Sequence, residues 1–194
     1  MNANFGEELV YWYLRLNGFF TIKNFVLHHN ASGRTSDADI LAVRFPYVYE
    51  ETGGREHDWD DNLFCHFNRS KIIGLICEVK TGLNFKSEKL FDFANVEKAL
   101  LRFGFIENMA SLNRQFTNTP SISIQNYEIH KVLFSRKRES PRNDCLHIRL
   151  IDVKKFVHSR MSKYIDRKLG DRMFFQSPLL QYIIWEESQK HRHF

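Results

Sequence analysis

Apolar residues recur along this chain at two spacings, one helical and one typical of strands. Helical spacing predicts helices over residues 5–17, 88–107, 153–168 and 178–190. Runs of strand-forming residues predict strands over residues 19–29, 37–44, 71–80, 129–136 and 145–151. The resulting order, α-β-β-β-α-β-β-α-α, predicts an α/β fold in which helices flank a mixed central sheet.

The runs at 37–44 and 71–80 are apolar almost without a break, which is typical of strands covered on both faces. Between them, residues 45–70 are polar and acidic and contain Gly53-Gly54, so they predict an insertion or a long hairpin at the surface. The chain has no internal repeat, low-complexity tract or linker. Its 194 residues therefore predict one domain, 1–194, with an acidic surface insertion at about 45–70.

The composition is typical of a folded, globular protein. Hydrophobic residues make up 43% of the chain and aromatic residues 14%, which is enough to build a packed core. The sequence contains neither an apolar run long enough to span a membrane nor a recognisable signal peptide. Cys65, Cys77 and Cys145 are widely spaced and odd in number, which favours reduced thiols and a cytoplasmic location.

The net charge of +5 is unevenly distributed. Residues 50–61 carry a local charge of −5, whereas residues 131–172 carry +8. A basic surface attracts polyanions, although solvated helix faces explain such a charge equally well. The candidate nucleic-acid contacts are Arg136, Lys137 and Arg138, which follow a predicted strand, and Lys154 and Lys155 in a predicted helix.

Charged residues stand where the two central strands are expected to be buried. Asp39 opens one apolar run, and Glu78-Val79-Lys80 closes the other. Side chains alternate along a strand, so Glu78 and Lys80 share a face, and if the two strands pair, Asp39 meets them there. Buried charges must be paired or bind a metal. Carboxylate oxygens suit Mg²⁺ or Mn²⁺.

A Glu-x-Lys triplet alone is weak evidence, because about one arises by chance in a chain of this length. Asp152-Val153-Lys154 is a similar triplet, but Asp152 is better interpreted as a helix N-cap. Asp39 and Glu78 are stronger evidence, because a strand that carries carboxylates precedes the apolar strand that ends in Glu-x-Lys. Lys80 can lower the pKa of an attacking water or neutralise the charge on the phosphate. Glu7, in the first turn of the first helix, can reach the site directly or through water. Alternatively, it is only a first-turn glutamate that the helix dipole stabilises.

These residues resemble the PD-(D/E)xK nuclease superfamily, through Gly6-Glu7, Asp37-Ala38-Asp39-Ile40-Leu41 and Cys77-Glu78-Val79-Lys80. The resemblance implies a restriction-endonuclease-like fold, with an α-β-β-β-α-β core followed by an extra strand and C-terminal helices. It also implies that Asp39, Glu78 and the Val79 carbonyl bind the metal, that Lys80 activates water and that Glu7 assists. Two features depart from the family pattern: no proline precedes the acidic position, and the gap between Asp39 and Glu78 is long.

The sequence therefore predicts a Mg²⁺- or Mn²⁺-dependent endonuclease that hydrolyses phosphodiester bonds in DNA. It does not separate DNA from RNA, and cutting both strands would favour a homodimer. One alternative is a catalytically weak nucleic-acid-binding or assembly subunit of a defence, repair or mobile-element complex. Another is an interaction protein whose charged strand ends are only ion pairs.

Overall fold

A computed structural model describes residues 4–28, 34–48, 59–105, 115–163, 165–171 and 176–190. The helices are α1 Phe5–Leu16, α2 Asp61–Phe64, α3 Phe93–Phe103, α4 Leu150–Ser162, α5 Ile165–Asp171 and α6 Pro178–Lys190. The strands are β1 Phe20–His28, β2 Arg34–Arg44, β3 Ile72–Lys80, β4 Ser121–Ile124, β5 Tyr127–Ser135 and β6 Leu146–Arg149. None of the helices in these ranges is both long and apolar enough to cross a bilayer.

The six strands form one mixed sheet, as the order of elements predicts. Five of them follow the order β1-β2-β3-β5-β4, and β6 also pairs with β5. The pairs β1/β2, β2/β3 and β4/β5 are antiparallel, whereas β3/β5 and β5/β6 are parallel. Because β4 pairs with the first half of β5 and β6 with the second half, the two short strands share one edge of β5.

Helices cover both faces of this sheet. On one face, α1, α4 and α6 pack against Ile40, Leu75 and Cys77. On the other face, α3 packs against Leu41, Ile76 and neighbouring apolar side chains. Consecutive residues of β2 and β3 thus point into two different cores, which explains why these strands are apolar without alternation. Asp39 and Glu78 alternate with the residues of the first core and so lie on the α3 side.

Two helices differ from their predicted bounds for local reasons. The helix predicted at 88–107 begins at Phe93, because the Asp92 side chain caps it by accepting from the Ala94 N–H. It ends at Phe103, because Gly104 adopts a left-handed conformation with φ of 66°.

The helix predicted at 153–168 is interrupted, since α4 ends at Ser162 and α5 starts at Ile165. The prediction that Asp152 caps a helix is wrong. The N-cap position of α4 is Arg149, and Asp152 lies in the first turn. There its carboxylate accepts hydrogen bonds from Arg149 Nε at 2.6 Å and from Arg149 Nη2 at 2.9 Å.

The predicted surface insertion at 45–70 is partly wrong. Residues 49–58 lie outside the described chain, but the segment that follows them is packed into the core. Trp59, Phe64 and Phe67 are buried there. The guanidinium of the fully buried Arg44 lies 4.1 Å from the Trp59 ring centre, and Asp60 accepts a 2.7 Å hydrogen bond from Tyr13. Trp59 is therefore a structural side chain that cannot stack on a ligand at the surface.

Candidate metal centre

The site forms where β2 and β3 part. Their ladder runs from Arg44 paired with Ile73 to Ile40 paired with Cys77, and the next residues, Asp39 and Glu78, are not part of it. Asp39 Oδ2 instead accepts a 2.6 Å hydrogen bond from the Val79 N–H. A side chain thus takes the place of a main-chain acceptor, and this fixes the Asp39 carboxylate beside the end of β3.

The structure brings together the three principal residues that the sequence predicts. Lys80 Nζ lies 2.6 Å from Glu78 Oε2 and 3.1 Å from Asp39 Oδ2. Because both oxygens contact one nitrogen, the two carboxylates lie side by side, and a small divalent cation in place of the ammonium would require their oxygens to lie within about 4 Å of each other. The side chains of Asp39 and Glu78 are each 18% exposed and that of Lys80 is 28% exposed, so solvent and a ligand reach them from one side.

The carboxylate oxygens of Asp39 and Glu78 suit a hard divalent cation, because they already contact a positive charge, the ammonium of Lys80. The ammonium of Lys80 contacts oxygens of two carboxylates that would otherwise repel each other. An ion of higher charge density, such as Mg²⁺ or Mn²⁺, suits the same pair of oxygens. The main-chain carbonyl of Val79, predicted as a further ligand, belongs to the residue whose N–H holds Asp39 in place.

Burial and charge set the protonation of the site. Burial raises the pKa of Glu78 to about 7, because the Lys80 ammonium opposes the effect of burial only in part and the negative charge of Asp39 adds a smaller increase. Burial acts to lower the pKa of Lys80, but Glu78 and Asp39 together outweigh it and raise that pKa. In the protein without metal, Lys80 is therefore an ammonium that donates to the pair and has no lone pair with which to accept a proton.

Glu7 lies near these residues but does not contact them. Its Oε1 accepts a 3.0 Å hydrogen bond from Asn4 Nδ2. Burial raises the pKa of Glu7, and the negative charge of Asp39 raises it further. Gly6 explains this placement, because a side chain at that position would collide with the methyl group of Thr81, just after β3. The start of α1 thus packs directly against the end of β3. Glu7 acts on the site through its charge and not through a hydrogen bond.

The two predicted basic groups lie in different places. Ser135, the last residue of β5, pairs with Lys80 in the parallel ladder, so Arg136, Lys137 and Arg138 follow at the same sheet end as the carboxylates. Arg136 and Arg138 are exposed. Lys137 is half-buried, with its ammonium 4.5 Å from the Phe85 ring centre.

The other basic group is separated from the site. Lys154 and Lys155 are exposed on α4, which covers the opposite face of the sheet from the Asp39 and Glu78 side chains. The structure does not bring these two lysines to the carboxylates, because helical periodicity turns them away from the core while Val153 and Val157 anchor the helix to it.

A buried ion cluster, which sequence reasoning missed, lies on the same face of the sheet as the carboxylate pair. Lys131 of β5 is fully buried and donates a 3.1 Å hydrogen bond to Asp144, and Arg142 binds the same carboxylate through two nitrogens. Arg142 also donates to the carbonyls of Ser87 and Leu90, at 2.8 and 3.2 Å. This cluster ties the segment between β3 and α3 to the segment between β5 and β6. A lysine inside an apolar strand, Ile129 to Phe134, was its only sequence signal.

A second group of possible metal ligands joins α4 and α6. His158 Nδ1 lies 2.8 Å from Glu187 Oε1 and 4.0 Å from Glu186 Oε2. Lys190 Nζ lies 2.5 Å from the same oxygen of Glu187. These three residues could hold a metal ion, and in this structure they form an ion-pair network with Lys190 between the two helices.

Metal affinity should depend on pH through Glu78. Between its ordinary pKa of 4.5 and its pKa of about 7 in the fold, the folded protein keeps a proton that the unfolded chain has lost. This proton stabilises the fold at low pH, the benefit is lost as the pH rises through 7, and a metal must displace the proton below that value. We expect Mn²⁺ affinity, measured by calorimetry, to fall about tenfold per pH unit below pH 7 and to level off above it.

The matched control for this titration is Glu128→Gln, a carboxylate on β5 whose side chain is 15% exposed. This variant should keep the pH dependence of the parent. Equal Mn²⁺ affinity at pH 6 and pH 8 would show that Glu78 is not a ligand.

Taken as chemistry, the site offers two closely placed carboxylates, one ammonium and a third carboxylate nearby, at a sheet end that also carries exposed arginines. Such a set can hold a divalent cation and stabilise the negative charge of a phosphate ester. The chain matches no protein-family model, no curated protein and no solved structure.

Proposed function

We propose that this protein is a Mg²⁺- or Mn²⁺-dependent endonuclease that hydrolyses phosphodiester bonds in DNA, with a restriction-endonuclease-like core. One observation carries the proposal: Lys80 Nζ lies between Asp39 Oδ2 and Glu78 Oε2 where two central strands part. Two carboxylates share one lysine at a partly exposed strand end, where a divalent cation could replace the ammonium. Removing charges from water at such a point costs stability unless a ligand offsets the cost.

Each residue has a role in this proposal. Asp39, Glu78 and the carbonyl of Val79 hold the cation. When bound, the cation polarises the scissile phosphate and offsets the charge that develops on it. The Lys80 ammonium would then no longer contact Asp39 and Glu78, and would donate hydrogen bonds to the attacking water or to a phosphate oxygen. Glu7 adds negative charge close to the cation, either directly or through water.

The reaction adds one water across one ester bond. The water oxygen bonds to phosphorus, the bond from phosphorus to the leaving sugar oxygen breaks, and that oxygen takes up a proton as the water loses one. Because Lys80 is an ammonium beside Glu78, it serves as a hydrogen-bond donor and a positive charge. The proton lost by the water passes to solvent or to a carboxylate.

Charge supports a nucleic-acid substrate. Arg136 and Arg138 are exposed at the sheet end that carries Lys80, and the whole chain has a net charge of +5. Arginine contacts to phosphates place a polyanion without reading its sequence. A phosphodiester backbone that follows these side chains passes the carboxylate pair.

The test is cleavage by the purified protein. We expect Mg²⁺ or Mn²⁺ to support cleavage of at least one substrate among supercoiled, linear, nicked and branched DNA and RNA, and EDTA to abolish it. Products should be separated on denaturing gels, because internal cuts distinguish an endonuclease from an enzyme that degrades ends. If no substrate is cut with either metal and calorimetry detects no Mn²⁺ binding, the proposal is wrong.

A second candidate function is favoured by one observation, that Lys80 already forms ion pairs with both carboxylates. A catalytically weak nucleic-acid-binding or assembly subunit would keep this arrangement as a structural element. It would bind DNA with strong salt dependence and cleave no substrate. Mn²⁺ binding at the carboxylates separates the two candidates, since only the nuclease needs it.

A further inference from the structure

The helix α6 is fixed to a different neighbouring helix near each of its ends. Just before it begins, Ser177 Oγ donates a 2.6 Å hydrogen bond to Glu8 of α1. Near its other end, Glu187 Oε1 lies 2.8 Å from Nδ1 of His158 on α4. The Glu187 side chain is only 8% exposed. A carboxylate at this depth between two helices has to be paired or to bind a metal.

A second carboxylate and an ammonium lie beside Glu187. Glu186 Oε2 is 4.0 Å from the same nitrogen of His158, and Lys190 Nζ is 2.5 Å from Glu187 Oε1. The Lys190 side chain is 57% exposed, and an ion pair at the surface contributes little stability. A divalent cation could therefore replace this ammonium at small cost and neutralise the charge of both carboxylates.

The imidazole and the two carboxylates lie close enough together for one ion. One ligand atom from each of His158, Glu186 and Glu187 lies within 4.8 Å of the other two, and no other group of three such residues does so in the described parts of the chain. A tetrahedral zinc ion with ordinary bond lengths holds its ligand atoms about 3.4 Å apart. The distances of 2.8 and 4.0 Å from His158 Nδ1 lie on either side of that value. The Glu186 side chain is 38% exposed, so it has room to turn towards the ion.

We propose that His158, Glu186 and Glu187 bind a Zn²⁺ ion that joins α4 to α6. The imidazole selects the metal, because a nitrogen ligand suits Zn²⁺ whereas Mg²⁺ takes oxygen ligands. His158 Nδ1 and one oxygen of each carboxylate become ligands, the imidazole carries its proton on Nε2, and Lys190 turns towards solvent. Water takes the fourth position.

This site is separate from the carboxylate pair of the proposed nuclease. The helices α4 and α6 pack against one face of the sheet, whereas the side chains of Asp39 and Glu78 lie on the other face, with α3. Removing Glu78 should therefore leave the zinc site intact. The inference does not depend on the proposed nuclease function, and a protein that binds Zn²⁺ here and cuts nothing would refute only the nuclease.

The test is thermal unfolding of the full chain carrying Glu78→Gln, with EDTA or with Zn²⁺. This background removes one charge of the carboxylate pair, so that zinc binding there contributes little. At a Zn²⁺ concentration about a hundred times the dissociation constant found by calorimetry, we expect Tm to rise by about 5 °C or more. Mg²⁺ at the same concentration should raise it by less. Adding His158→Gln should abolish the rise, because the nitrogen ligand is lost.

A milder variant keeps the test informative if the loss of His158 unfolds the protein. Glu186→Gln changes a side chain that is 38% exposed and makes only a 4.0 Å contact, so its Tm in EDTA should stay the same while most of the rise with Zn²⁺ is lost. Glu128→Gln is the matched control, because Glu128 Oε1 lies 3.4 Å from His130 Nε2. It removes a carboxylate beside another histidine and should keep the full rise.

Two results would overturn the inference. One is an unchanged Tm when Zn²⁺ is added to Glu78→Gln, which would leave His158, Glu186 and Glu187 as an ion-pair network with Lys190. The other is an equal rise with and without His158→Gln or Glu186→Gln, which would show that Zn²⁺ binds elsewhere on the chain.

Discussion

Glu78→Gln is expected to abolish metal-dependent cleavage, with a loss of about a thousandfold or more. The amide keeps the shape of the side chain but removes the charge that, with Asp39, would hold a divalent cation. Glu78 lies 2.6 Å from Lys80 and has a pKa of about 7. Its removal should therefore also remove Mn²⁺ binding and the pH dependence of that binding. Single-turnover cleavage and calorimetry with Mn²⁺ measure the two effects separately.

The fold of this variant should survive, because an uncharged side chain is easier to bury than an ionised one. Above pH 7, where Glu78 is ionised in the parent, the variant should unfold at an equal or higher temperature than the parent. The matched control is Glu128→Gln, a carboxylate of similar exposure elsewhere in the sheet, which should cleave at the parental rate. Parental cleavage by Glu78→Gln would refute the assigned role of the carboxylate pair.

Much of the fold could be predicted from periodicity, because packing dictates it. In α1, the buried residues Leu9, Tyr13 and Leu16 recur at helical spacing. In β3, a continuous apolar run serves two cores at once. These patterns predicted α1, β1, β3, β5 and α6 within a few residues.

The remaining errors have physical causes that spacing does not reveal. The strand β4, Ser121–Ile124, was not predicted because its four residues depend on pairing with β5 rather than on their own preference. The segment that contains Trp59 was predicted to lie at the surface because acidic residues surround it. Its burial depends on Arg44 and Tyr13, which are distant in sequence.

The candidate site was likewise predicted in part, because strand alternation fixes some of its contacts and tertiary packing fixes the others. Strand alternation predicted that the side chains of Asp39 and Glu78 lie close together, and in the structure both carboxylates contact the Lys80 ammonium. The sequence could not predict that Asp39 accepts from the Val79 N–H, because that contact exists only where the strands part. Nor could it predict that Glu7 accepts a hydrogen bond from Asn4 instead of one from Lys80.

Lys80→Met should separate metal binding from cleavage. The apolar side chain keeps the length of the stem but removes the ammonium that now lies between the two carboxylates. We expect cleavage to fall by about a hundredfold or more, because no donor then stabilises the attacking water or the phosphate. Mn²⁺ affinity should be equal to or higher than that of the parent, because the metal no longer has to displace a positive charge.

The result expected for Mn²⁺ binding by Lys80→Met depends on the pH at which it is measured. Lys80 lowers the pKa of Glu78, so in the variant that carboxyl holds its proton to a higher pH and metal binding near pH 7 is weakened. Calorimetry must therefore be carried out well above pH 7, with Lys71→Met, beside the opposite end of β3, as the control. Loss of Mn²⁺ binding at that pH would show that Lys80 only holds the two strands together. Parental cleavage by the variant would show that the reaction does not use its amine. Retained binding without cleavage is the one outcome that fits a cation site in which lysine supplies the hydrogen bonds of the reaction.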